Sequence, residues 1–170
     1  LADKIFDSKQ LRNKDFRPLV TKALAALEES AEREKYEPRQ YIRVTENYNE
    51  LAKDDAKFFE QSLPFARRAF ELAPRRQGVY QLLAFTLSGL GRFDEAVEVM
   101  RKSVALEPKV YKPYYHLGLN AALASQSPQY INTPRGEEYK KEALQALERA
   151  MELGRSNDYL FFSDSDVQNL

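Results

Sequence analysis

Two segments of this chain end on prolines 34 residues apart, and that spacing constrains the fold more than any other feature: FARRAFELAP closes at Pro74 and VMRKSVALEP at Pro108. Each reads as a helix ending in an aromatic or methionine, a small residue, Leu, an acidic or small residue, and a proline that cannot continue it. A unit of this length cannot bury its apolar face alone, so several must stack. A chain of 170 residues has room for a few such units, and at this size roughly 70 % of the unfolded surface leaves water on folding. Its 43 % apolar and 31 % charged residues belong to a folding, soluble chain rather than a disordered one.

Taking Pro108 as the close of a unit makes Gln77 its first position, with Tyr80, Leu83, Ala84 and Leu87 on one apolar face of its first helix. The second helix offers Ala96 for close approach, Met100 to fill space, and Ser103 at a further small position. Between them lies LSGLGRFDEA, where Gly89 and Gly91 are expected to end the first helix through positive φ. Asp94 suits the free amides at the start of the second. The next unit starts at Tyr111 and gives Tyr114, Leu117, Gly118 and Ala121 in the same register. Its second helix, EEYKKEALQALERAMELG, carries Ala143, Leu147 and Ala150 thirteen residues later than a strict repeat. The surplus, SQSPQYINTPRG at 125–136, has two prolines and many turn formers and predicts a long loop. Upstream, Ser62, Ala66 and Ala69 mark a second helix, and Tyr41, Val44, Thr45 and Tyr48 a first helix, with about five extra residues near KDDAK. RPLVTKALAALEESAERE, with Val20, Leu24, Leu27 and Ala31 at helical intervals and Pro18 in a first turn, predicts a degenerate helical lead-in.

On these residues the chain resembles the tetratricopeptide repeat family. The resemblance implies an all-α fold of antiparallel helical hairpins stacked as a right-handed superhelix, an α-solenoid, in a single domain over 1–170. The lead-in is 1–37, the repeats are 38–74, 77–108 and 111–155, and 156–170 is a cap or truncated helix. In the family, first-helix residues at the second, fifth, ninth and twelfth positions line a concave groove. They map to Arg39, Ile42, Glu46 and Asn49; to Gly78, Gln81, Phe85 and Ser88; and to Lys112, Tyr115, Leu119 and Ala122. Phe85 and Tyr115 have no core duty in the repeat pattern, so they are either peptide anchors or packing partners of a neighbouring helix or the insertion. The family's clamp for chaperone tails is departed from: Lys112 and His116 loosely match its last part, but Gln81, Leu82 and Phe85 replace the earlier members. The run from ELAPRRQGVYQLLAF to VALEP also resembles the soluble tail of bacterial O-antigen ligase-like membrane proteins, which implies an accessory domain beside a glycan-assembly enzyme.

Other function classes find little in the sequence. Twenty-six basic residues balance twenty-six acidic ones, so no global field draws the chain onto nucleic acid or an anionic membrane. With no cysteine there is no disulfide, thiol nucleophile or thiolate metal site. The single histidine, His116, has no partner set for zinc or nucleophilic chemistry. Ser163, Asp164, Ser165 and Asp166 lack a calcium-loop pattern and read as a helix cap. Arg67, Arg68, Arg75 and Arg76 form the densest basic cluster and read as plain surface. No apolar run approaches the roughly 20 residues that span a bilayer. LADKIFDSKQ lacks a signal-peptide pattern and begins without Met, as an excised piece would. The reading is therefore a non-catalytic interaction scaffold without cofactor or metal, binding a peptide or protein partner. The alternative is the glycan-assembly accessory domain, with Tyr130 and Arg135 shaping a site. The apolar YLFF near the C-terminus is a candidate self-association surface, and the compartment stays open.

Overall fold

The computed structural model describes residues 17–156, and among these there are seven helices and no strand. They are α1 Arg17–Arg33, α2 Pro38–Leu51, α3 Lys57–Leu72, α4 Gln77–Gly89, α5 Phe93–Leu106, α6 Tyr111–Gln126 and α7 Pro134–Ser156. The start of the lead-in, the cap predicted after α7, the YLFF surface and the Ser163–Asp166 cluster lie outside the described residues. The chain divides into two compact units, Leu1–Arg92 and Phe93–Leu170. The division falls between α4 and α5, inside the unit read as 77–108.

In the first unit, the helical spacing of apolar residues on α1 places Val20, Leu24 and Ala31 against Val44, Tyr48 and Leu51 of α2. Tyr41, Phe58 and Phe65 pack around them, with Tyr48 stacked on Phe65 at 6.0 Å. Burying a side chain such as Val44 contributes about 1.5–3 kcal/mol. Pro38 opens α2 in its first turn, and the Glu37 carboxylate caps it by accepting from the Arg39 amide at 3.1 Å. On α3 the buried face joins Phe59 to three small residues, Ser62, Ala66 and Ala69, against which α2 and α4 pack.

The two glycines after Leu87 have different reasons. Gly91 has φ 71°, and with Arg92 it closes α4 through amide bonds to Ser88 (3.0 Å) and Leu87 (2.9 Å). Gly89 has no positive φ and is still helical. A Cβ there would lie 2.3 Å from the Phe59 ring, so this glycine is set by close packing rather than by chain reversal.

In the second unit, α6 and α7 form the tightest pair. A Cβ on Gly118 would lie 2.6 Å from Leu147, and Ala121, Ala124, Ala143, Ala146 and Ala150 complete a small-residue interface. Ala96, Val97, Met100 and Ser103 of α5 are fully buried. The segment read as a loop over 125–136 is shorter: α6 runs to Gln126 and α7 starts at Pro134, leaving 127–133. Pro134 begins a helix because its fixed φ and missing amide suit a first turn, and Thr133 caps it by accepting from the Gly136 amide at 3.0 Å.

One bond recurs along the chain. A tyrosine in the first turn of α2, α4 and α6 donates to a carbonyl six residues earlier: Tyr41 to Lys35 (3.4 Å), Tyr80 to Pro74 (2.7 Å) and Tyr114 to Pro108 (3.3 Å). Each ties a first helix to the turn before it.

Candidate functional site

On α2, Arg39, Ile42, Arg43 and Glu46 share one face, because residues three, four and seven apart stack along a helix. Together with Arg76 they line an open cleft of about 470 Å³. Ile42 is 8 % exposed and forms its apolar base, while Arg39, Arg43, Glu46 and Arg76 are exposed. Arg76 is the N-cap residue of α4 with extended backbone (φ −94°, ψ 109°), and its side chain makes no capping bond. Three arginines thus surround a cleft holding one glutamate. Its volume is in the range of ligand sites, but the lining is charged rather than apolar, which suits a polar segment more than a hydrophobic small molecule.

Three of the residues predicted from repeat register, Arg39, Ile42 and Glu46, come together here. Sequence reasoning missed Arg43 and Arg76. The signal for Arg43 was its spacing of four from Arg39. Arg76 was grouped with Arg67, Arg68 and Arg75, yet Arg68 pairs with Glu71 at 2.9 Å and only Arg76 of the four reaches the cleft.

Asn49, also predicted on this wall, is turned inward instead. It is 5 % exposed, and its Oδ1 accepts from Ser62 (2.8 Å) on α3 and Thr86 (3.0 Å) on α4. A short polar side chain facing two buried hydroxyls is worth more as their partner than as a solvated surface group. Asn49 therefore ties three helices together, although its Nδ2 has no hydrogen-bond partner.

On α4, Phe85 is 45 % exposed and also packs edge-on against Phe59 at 5.7 Å. The ring thus packs on a neighbouring helix, as one of the two readings expected, and still has an exposed part. Gln81 and Ser88 are half-buried and Gly78 is exposed.

On α6 of the second unit, Lys112 is exposed, and Tyr115, Leu119 and Ala122 are half-buried. The Tyr115 ring meets His116 edge-on at 5.4 Å. Burial, and then the Lys112 charge, hold the His116 imidazole below its usual pKa, which favours a neutral ring.

Tyr130 and Arg135, read as shaping a site in the insertion, are engaged with Asp94 at the start of α5. Asp94 accepts from the Tyr130 and Tyr139 hydroxyls and from Arg135 at 3.2 Å, and the Arg135 guanidinium lies 4.6 Å over the Tyr139 ring. The Tyr130 bond, then those of Tyr139 and Arg135, hold the Asp94 carboxyl below its usual pKa against the opposing effect of burial. Burial and Asp94 push the Tyr139 hydroxyl up to about 12. These groups are mutually satisfied, an arrangement that anchors the insertion rather than one that handles a reacting group. Among the described residues, no group of three or more His, Asp or Glu side chains is placed to hold a metal ion. No helix among them is long and apolar enough to cross a membrane.

Comparison with known proteins agrees with the helical-repeat fold. Residues 78–110 match the family model described as tetratricopeptide repeat. A solved structure of MamA from MSR-1 is similar in fold, with TM-score 0.60 and 20 % identity over 92 % of this chain and 82 % of that one. MamA from AMB-1 is similar with TM-score 0.57 and 19 % identity over 85 % of this chain and 67 % of that one. No curated protein matches the sequence. The narrower likeness to O-antigen ligase-like tails finds no support in these comparisons. The chain thus carries a tetratricopeptide repeat at 78–110 and has the all-helical fold of tetratricopeptide-repeat proteins.

Proposed function

We propose that this chain is an interaction scaffold that holds a peptide or protein partner against its first-helix faces and catalyses nothing itself. The observation that carries the reading is the α2 face, where Arg39, Ile42 and Glu46 open onto a cleft together with Arg43 and Arg76. A rigid helix presenting charged side chains around a partly apolar floor is a means of recognising a segment of chain. Phe85, with nearly half its surface exposed, supplies an aromatic contact of the kind that dominates interface energetics. In the second unit, Lys112, Tyr115 and Leu119 of α6 are the corresponding candidates. The repeats are taken as 38–74, 77–108 and 111–155, with 127–133 as the connecting loop of the last.

The test is capture from a random peptide library by the chain and by its Arg39→Gln, Phe85→Ala and Tyr115→Ala variants. Capture that weakens in at least one variant, with helical content unchanged, supports the scaffold. Equal capture by all three, or none by the parent chain, overturns it.

A further inference from the structure

The two sides of α7 are not used alike. Glu142 faces α5, where Arg101 holds it through two bonds of 2.7 Å. Leu144 lies about 200° round the helix from Glu142, and Leu147 and Met151 follow it at three and seven residues, so the three form one strip. Leu144 is 57 % exposed and the other two are half-buried. The strip therefore looks away from α5. It borders α6, because a Cβ on Gly118 would meet the Leu147 side chain, and beyond Gly118 come Leu119, half-buried, and Leu123, exposed. At the end of the strip nearer the start of α7 stand Lys140 and Lys141, both exposed. Neither forms an ion pair among the described residues, whereas Glu152, near the other end, is already paired with Arg149.

We propose that the chain covers this strip itself: residues 157–170 fold back along α7, with YLFF on Leu144, Leu147 and Met151 and the aspartates that follow on Lys140 and Lys141. Length and charge carry the assignment. The segment NDYLFFSDSDVQNL starts where α7 stops, holds three aspartates and has no basic residue. Along α7, Leu144 lies about 18 Å and Lys140 about 24 Å before Ser156. If Asn157 and Asp158, both turn formers, reverse the chain, each later residue advances about 3.3 Å when extended. Tyr159 to Phe162 then run beside Met151 and Leu147 toward Leu144. Asp164 and Asp166 arrive about 20 and 26 Å along, on either side of the level of Lys140. Glu148, on the same side of α7, meets the uncharged YLFF run rather than the aspartates. One consequence rests on the scaffold reading: a partner that reaches Leu119 of α6 must displace this segment, so the contact is autoinhibitory.

The experiment mixes isotope-labelled and unlabelled whole chain at low micromolar concentration, joins neighbouring carboxylates and amines with a zero-length cross-linker, and identifies the linked peptides by mass spectrometry. A Phe161→Ala/Phe162→Ala variant is treated in parallel. The expected result is amide bonds from Asp164 or Asp166 to Lys140 or Lys141 within one chain, and about tenfold fewer of them in the variant at unchanged helical content, since both rings leave the strip. No such bonds, or the same yield from the variant, overturns the proposal. Bonds between labelled and unlabelled chains overturn it in favour of a second copy on the strip. For the consequence, fluorescence anisotropy compares parent and variant with a library-selected peptide whose binding Tyr115→Ala weakens. Several-fold tighter binding by the variant supports autoinhibition, and equal affinity removes it. If no peptide binds the parent chain, the scaffold reading falls and autoinhibition with it, while the cross-links still decide the fold-back.

Discussion

In Phe93–Leu170, arginines that reach another helix meet carboxylates there. Arg101 of α5 grips Glu142 of α7 through Nε and Nη2, both at 2.7 Å, and Arg135 of α7 reaches Asp94 of α5. In Leu1–Arg92, by contrast, three arginines gather around one cleft with Glu46 as the only acidic lining residue. The interiors differ as well. Ser62 in the first unit is fully buried within hydrogen-bond reach of Thr45, Asn49 and Thr86, whereas Ser103 in the second is fully buried and its Oγ has no partner. The second unit spends its charge on holding itself together. The first joins three helices through Asn49, Ser62 and Thr86 and lines one cleft with Arg39, Arg43 and Arg76.

The largest expected effect follows from the Asp94 cluster. Asp94→Ala leaves the hydroxyls of Tyr130, 9 % exposed, and Tyr139, 1 % exposed, without their acceptor. We expect a loss of about 2 kcal/mol in urea unfolding, the scale of a charge-assisted network partly open to water. A change below about 0.5 kcal/mol would mean the insertion is not anchored there.

Next in size is one substitution with opposite signs in the two units. Ser62→Ala removes a donor to Asn49 and lowers stability by about 1–2 kcal/mol, whereas Ser103→Ala removes a buried hydroxyl with no partner and raises it by about 1 kcal/mol. Thermal melts of both variants check this, and destabilisation by Ser103→Ala would erase the contrast.

His116 gives a pH-dependent difference. Its pKa is lowered in the folded chain, first by burial and then by Lys112, so the unfolded chain binds the proton more tightly. The stability this ring contributes is present above its unfolded pKa of about 6.5 and is lost as pH falls through that value toward the folded one. Urea midpoints between neutral and mildly acidic pH should fall in the parent chain and flatten in His116→Gln; an unchanged slope would place the dependence elsewhere. The smallest effect is on the arginines of the cleft: Arg39→Gln and Arg76→Gln should each shift stability by less than about 0.5 kcal/mol. A larger loss would make those residues structural, like Arg101.

Most helices were legible because their apolar residues recur with a helical period, and because Pro74 and Pro108 mark where helices end. Three features were not, each for a physical reason. Gly89 looked like a helix terminator, but its requirement comes from the Phe59 ring, thirty residues away in sequence. The insertion shrank to 127–133 because Pro134 and Thr133 start a helix as readily as they continue a loop. Asn49 fell inside because register places a residue on a face but does not say which buried hydroxyls await it. Of the site, repeat register supplied Arg39, Ile42 and Glu46. Arg76 required the turn before α4 to be seen in three dimensions.

The central claim, that first-helix faces of the first unit hold the partner, is tested most directly by amide hydrogen exchange with and without a bound library-selected peptide. The account predicts slowed exchange concentrated in α2 and in the segment from Arg76 through α4. Slowing confined to α3, or none while the peptide stays bound, would contradict it.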